Sequence, residues 1–151
     1  MKFKIKKGRH YSSFSLNRFL MFVRSKMSGT ARFSYDCLKP VPITGWNKLT
    51  GMSSWMIHKN SGRLVWRAKD GKILISAYVY KDGIRNEMLI TSVLPDRYYK
   101  YSVEYINGFY KFTFNGTTVL MVAGKLGKIK FRCFPYFGGK STAPEDLFIQ
   151  I

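Results

Sequence analysis

The chain has 151 residues, with 26 Lys and Arg against 8 Asp and Glu, giving a formal net charge of +18 and a pI near 10.1. That length holds one domain whose core needs no disulfide staples, and the charge excludes indifference to anions: the expected partners are nucleic acid, acidic glycan, an acidic protein lattice or lipid headgroups. Glu145-Asp146 is the one close carboxylate pair, and in an extended chain its side chains point opposite ways, which argues against glycosidase chemistry.

Residues 1 to 35 carry nine basic residues (Lys2, Lys4, Lys6, Lys7, Arg9, Arg18, Arg24, Lys26 and Arg32) and no acid, so by composition 1–30 reads as a basic arm and 31–151 as the folded domain. The opening Met1-Lys2-Phe3-Lys4-Ile5-Lys6-Lys7 alternates with the period of a strand and is punctuated by Gly8, which suits addition to a sheet edge, its own or a neighbour's. Leu16, Phe19, Leu20, Val23 and Met27 recur at helical spacing, with Ser15 as N-cap and Gly29 past the end, predicting a short basic amphipathic helix packed under the sheet. Its apolar run is too brief for a membrane span, and no small-residue cleavage site follows at the right distance, so the expectation is an intracellular product without a signal peptide.

From residue 31 onward strands and turns alternate. Ala31–Tyr35, Trp55–His58, Leu64–Arg67, Lys72–Tyr80, Arg85–Ile90, Tyr98–Ile106, Phe109–Phe114, Thr117–Ala123, Lys128–Phe134 and Leu147–Ile151 are the predicted strands, and ten of them imply an all-β sandwich. Asp82-Gly83, Asn107-Gly108 and Asn115-Gly116 mark tight hairpins. Alternation puts Tyr99, Tyr101, Val103 and Tyr105 on one face, matched after the turn by Tyr110, Phe112 and Phe114. In Lys72–Tyr80 it sends Ile73, Ile75, Ala77 and Val79 to the core and leaves Tyr78 and Tyr80 together on the opposite face. With Trp46, Trp66, Arg67 and Lys100, those tyrosines form the candidate glycan or interface surface, the rings for stacking and the cations for carboxylates.

The chain closes with Phe134-Pro135-Tyr136-Phe137-Gly138-Gly139, then Ala143-Pro144-Glu145-Asp146 and a short apolar strand. Gly138 and Gly139 shape the loop, Pro144 holds the chain extended, and Asp146 bonds nearby amides. This ending, with Leu64-Val65-Trp66-Arg67, Ala77-Tyr78-Val79-Tyr80 and the Tyr101 to Gly108 hairpin, resembles the concanavalin A-like jelly-roll sandwiches of lectins and polysaccharide lyases over residues 31 to 151.

An alginate-lyase-type sandwich, by that resemblance, deploys an Arg, a Gln, a His and a Tyr on its concave sheet, and the R-x-E and Q-x-H pairs are absent here. His10 lies in the arm, Gln150 is penultimate, His58 stands alone on a predicted strand, and Glu145 replaces the His expected between Pro144 and Asp146. Cys37 and Cys133 are expected as reduced buried thiols, with one disulfide as the alternative, and two Cys with two His give no zinc spacing. Gly138-Gly139-Lys140-Ser141-Thr142 mimics a phosphate loop, but Phe134 stands where its first Gly belongs.

The expectation is therefore no enzyme activity, cofactor or metal. The resemblance suggests a multi-copy structural or decorating component of a bacteriophage virion, such as a capsid auxiliary or tail accessory made in the host cytoplasm, its arm anchoring it to an acidic assembly like a capsid shell. The alternatives are a carbohydrate-binding module for acidic glycans and nucleic-acid binding through the arm.

Overall fold

The computed structural model describes residues 1–12, 22–39, 45–139 and 141–151. Twelve strands are found there: β1 Lys2–Ile5, β2 Phe22–Val23, β3 Lys26–Phe33, β4 Asn47–Ser53, β5 Ser61–Lys69, β6 Lys72–Lys81, β7 Ile84–Val93, β8 Tyr99–Ile106, β9 Phe109–Phe114, β10 Thr117–Val122, β11 Lys130–Cys133 and β12 Leu147–Gln150. They form two antiparallel six-stranded sheets, ordered β1-β12-β3-β8-β9-β10 and β2-β11-β4-β5-β6-β7. The expected all-β jelly-roll sandwich is the fold.

Alternating apolar residues seal the two sheets face to face. Phe3, Ile5, Phe33, Leu64, Trp66, Ile73, Ile75, Val79, Val103, Tyr110, Phe112, Phe114 and Leu147 all lie in one buried cluster. Gly62 makes the tightest of these contacts possible, since a Cβ there would stand 2.5 Å from the Tyr110 ring. Hairpin turns join neighbouring strands, with Asp82, Asn107 and Asn115 each at φ near +50° ahead of a glycine that is also left-handed. Asp70-Gly71 makes a fourth such turn.

Several expectations change. Trp55–His58 is a turn, and the strand lies just before it, in Asn47–Ser53, where mixed polar and apolar residues hid the alternation. Ser15 and Leu16 to Leu20 of the expected helix lie outside the described residues, as do Arg18 and Lys140, but Phe22–Val23 and Lys26–Phe33 are strands. Met27 and Val23 therefore pack on the core from sheet positions. Strand β3 runs across the division expected at residue 30. Strand β1 is an integral part of the sandwich, pairing with β12 from Lys2↔Gln150 to Ile5↔Leu147. Arm lysines are tied down inside the chain: Lys4 Nζ lies 2.6 Å from Asp146, and Lys7 donates its backbone N–H to the same carboxylate at 2.9 Å. Those bonds hold the Asp146 carboxyl below its ordinary pKa. Lys2, Lys6, Arg9, Arg24 and Lys26 are exposed.

Candidate functional site, a cationic cleft floored by tyrosines

The outward face of the β2–β7 sheet holds most of the unusual chemistry. Strand β5 alternates Gly62, Leu64 and Trp66 inward with Arg63, Val65 and Arg67 outward, and Tyr78 and Tyr80 of β6 stand beside them. Trp46, Val65 and Tyr78 form a second, smaller apolar cluster on this face, flanked by Leu74 and Tyr80. Arg63 lies across both tyrosines, its Cζ 5.1 Å from the Tyr78 ring centre and 5.6 Å from that of Tyr80. Arg67 stacks on Trp46 at 4.2 Å, and Arg85 of β7 reaches Tyr78 at 5.8 Å.

Arg63 is only 3% exposed, its Nε and Nη2 have no hydrogen-bond partner, and none of the four ion pairs of the described residues involves it. A buried guanidinium without a carboxylate is costly, and tyrosine faces repay only part of that cost. Such an arrangement suits an anion arriving from outside.

Lys48 borders the same cleft. Leu49 is an extra residue in the β4–β5 register, where pairing jumps from Lys48↔Val65 to Thr50↔Leu64, and such a bulge re-aims the side chain beside it. The segment carrying Tyr136 binds Lys48 on its other side, Lys48 N–H donating to Tyr136 O at 2.8 Å and Tyr136 N–H to Lys48 O at 3.0 Å. The Lys48 Nζ donates to Trp46 O at 2.7 Å and lies 5.5 Å from the Tyr78 ring centre and 5.8 Å from that of Tyr136. Burial, then repulsion from Arg63 and Arg85, brings its pKa down to about 8. Burial conversely raises the Tyr78 phenol.

The closing loop is shaped around this lysine. A Cβ on Gly138 would stand 2.3 Å from Trp46 O and 2.6 Å from Lys48 Nζ, so only glycine leaves the ammonium its seat. Asn47, fully buried, accepts the Gly138 N–H at 2.9 Å and locks the loop to β4. On the other flank His10 stacks on Tyr136 at 5.5 Å, its Nδ1 2.8 Å from Phe137 O, while Tyr11 meets Tyr136 edge-on at 5.1 Å. Tyr11, Lys48, His58, Arg63, Cys133 and Tyr136 border a cleft of about 290 Å³.

A hollow of equal volume lies over β1, β12 and β3, but its Arg32 is already paired with Asp96 at 2.9 Å. Among the described residues no cluster of three or more His, Cys, Asp and Glu could hold a metal, and no helix is long and apolar enough to cross a membrane. Cys37 and Cys133 are buried thiols not joined in a disulfide, and desolvation pushes the Cys37 thiol up to about 12.

The structure sorts the predicted surface. Tyr78, Tyr80, Trp46 and Arg67 share the cleft face, but Trp66 is 1% exposed and packs inward on Phe33 and Phe137. Lys100 stands on β8 of the other sheet, opposite Thr30. His58 lies on the turn after β4 and meets Tyr80 edge-on at 5.5 Å. Gly138 and Gly139 serve the loop, and Asp146, two residues beyond Pro144, fastens β1. Reasoning from sequence missed Arg63, one residue before its predicted strand, and Lys48 on the unrecognised β4; continuing the β5 alternation backward by one step would have found Arg63.

No protein-family model matches the chain, and no curated protein does. Solved structures do share the fold. The alginate lyase from Alteromonas sp.272 superposes with a TM-score of 0.59 at 8% identity, over 82% of this chain and 67% of that one. Alginate lyase A1-II', a member of polysaccharide lyase family 7, gives 0.56 at 14% identity, over 82% and 57%. Apo Crh5 transglycosylase gives 0.59 at 8% identity, over 98% and 68%. The chain thus spans between 57% and 68% of these proteins' lengths.

The class is therefore a concanavalin A-like jelly-roll sandwich with glycan-related structural neighbours. The expectation of no enzyme activity is overturned, because solved structures sharing this architecture include lyases and a transglycosylase. That expectation rested on missing motif pairs, whereas the cleft assembles its cations and phenols from positions those motifs do not cover. None of these three neighbours is named as a virion component.

Proposed function

We propose that this protein binds an acidic polysaccharide along the cleft of the β2–β7 sheet and cleaves it by β-elimination. The observation that carries this reading is Arg63, a buried guanidinium with two unpartnered nitrogens at the floor of a cleft lined by tyrosines and bordered by further cations. A uronate carboxylate reaching Arg63 exchanges its water for a charge-assisted, bidentate contact. Half-buried Tyr80 and exposed Tyr11 at the cleft border offer aromatic surface for sugar rings, while Tyr78 and Trp46 are buried against Arg63 and Arg67.

The chemistry follows from that contact. Neutralising the carboxylate acidifies the adjacent C5–H, and loss of that proton lets the C4–O bond to the preceding sugar break. The leaving oxygen takes a proton, and the products are a C4=C5 unsaturated uronate and a new sugar end, with no water consumed. Tyrosine phenols at the cleft can supply that proton.

The test uses purified protein with alginate, other polyuronates and neutral glucans, measuring binding by calorimetry and unsaturated product by ultraviolet absorbance. Polyuronates should bind and give product while neutral glucans do neither, and Arg63→Gln should lose both signals. Equal affinity for neutral glucans, or polyuronate binding untouched in Arg63→Gln, would sink the proposal.

A further inference from the structure

Resting on that reading, we infer that Lys48 is the proton acceptor of the elimination, taking the C5 proton on its Nζ while the facing Tyr136 phenol protonates the departing C4 oxygen. The two residues exchange a pair of backbone hydrogen bonds, so their side chains leave adjacent positions toward the same space. Carboxylate anchor, base and acid then line one cleft, which Arg63, Lys48 and Tyr136 share.

A lysine serves as a base only when its amine is neutral, and three features of the fold favour that. Its hydrogen bond to Trp46 O uses one N–H, and the neutral amine keeps a lone pair for a proton. The charged groups acting on it are cations, Arg63 from β5 and Arg85 from β7, with no carboxylate among them. The other titratable groups around it are the phenols of Tyr78 and Tyr80 on β6, Tyr136 and Tyr11 at the rim, the Cys133 thiol and the His58 imidazole. Burial and those guanidiniums bring the amine to about 8, within reach of mildly alkaline solution. Room is reserved for this head group, since Gly138 lacks the Cβ that would collide with it.

The step balances without an outside reactant. The C5–H electrons form the C4=C5 double bond, the C4–O electrons leave with the oxygen, Nζ gains one proton and the Tyr136 oxygen loses one. Proton return from Lys48 to the tyrosinate resets the pair.

The inference is tested on the full chain with a polyuronate, comparing wild type, Lys48→Met and Lys48→Arg, each first checked by thermal melt. Wild-type kcat should rise with pH toward a plateau above about 8. Lys48→Met should lose on the order of a hundredfold or more in kcat, hold its Kd for the polyuronate within a few-fold, and recover part of its rate with added methylamine. Lys48→Arg should stay inactive. Competitive acetylation of the free protein, read by mass spectrometry, should show Lys48 titrating near 8. Full activity in Lys48→Met, or acetylation following an ordinary surface lysine, would overturn the role of Lys48 and leave polyuronate cleavage standing. Wild type that binds polyuronate without forming unsaturated ends would overturn the eliminative reading and the role of Lys48 with it.

Discussion

Replacing Arg63 by Met should make the protein more stable while removing its affinity for acidic glycans. The side chain is 3% exposed, with Nε and Nη2 unpartnered and no carboxylate of the described residues in ion-pair range. A buried charge left without an ionic partner costs about 3–5 kcal/mol, which an apolar side chain removes. Two cation–π contacts, to Tyr78 and half-buried Tyr80, are lost in the exchange, at about 0.5–2 kcal/mol each. The net lies between about −1 and 4 kcal/mol, centred on a gain of about 1.5 kcal/mol. With an unfolding entropy of about 2.1 cal/mol/K per residue, the central value for a chain this long is a gain of about 5 °C in Tm. Differential scanning calorimetry in one buffer, with glycan binding measured alongside, checks both halves. A Tm lowered by several degrees would refute the reasoning, because it would mean that Arg63 is a satisfied structural group and not a site held open for an anion.

Deleting residues 1–8 should destabilise the sandwich and not merely release an arm: Phe3 and Ile5 are buried in the core and β1 covers β12. Losing the two side chains alone should cost about 3–6 kcal/mol, and an unchanged urea midpoint would exclude the packing described. Lys48 should also give stability a distinct pH dependence. Its folded pKa, about 8, lies below the ordinary 10.5, so between these values the unfolded chain holds more protons and stability rises with pH. Below about 8 the penalty is present in full, at most about 3 kcal/mol. Lys48→Met should therefore be the more stable protein at pH 7, with the difference shrinking as pH rises toward 10; a constant difference would count against the depressed pKa.

The strands from Lys72 onward were legible because residues such as Ile73, Ile75, Ala77 and Val79 alternate without interruption and end at Asp-Gly or Asn-Gly turns, so local periodicity and turn chemistry agree. The same alternation paired Tyr78 with Tyr80. Where polar residues are buried the signal fails. Strand β4 hides Asn47 and Thr50 inside, the first accepting from Gly138 and the second donating to Cys133 O at 3.1 Å, so its sequence does not alternate. Trp66 misled because composition alone does not say which side of a strand a ring takes.

The sequence by itself determined an all-β chain, its hairpins, its basic balance and one aromatic face, all of which depend on neighbours a few residues apart. Only the tertiary structure decided that Lys48, Arg63, Tyr136 and His10 meet, because β4 touches both β5 and the segment before β12, and His10 reaches Tyr136 across 126 positions of chain. It also decided that Lys2–Ile5 is core and not a free arm, since alternation shows that a segment can join a sheet but not which edge awaits it. Charge is additive along a chain and can be counted from composition; whether a given guanidinium has a partner depends on what long-range packing places beside it, and for Arg63 that packing supplies tyrosines and no acid.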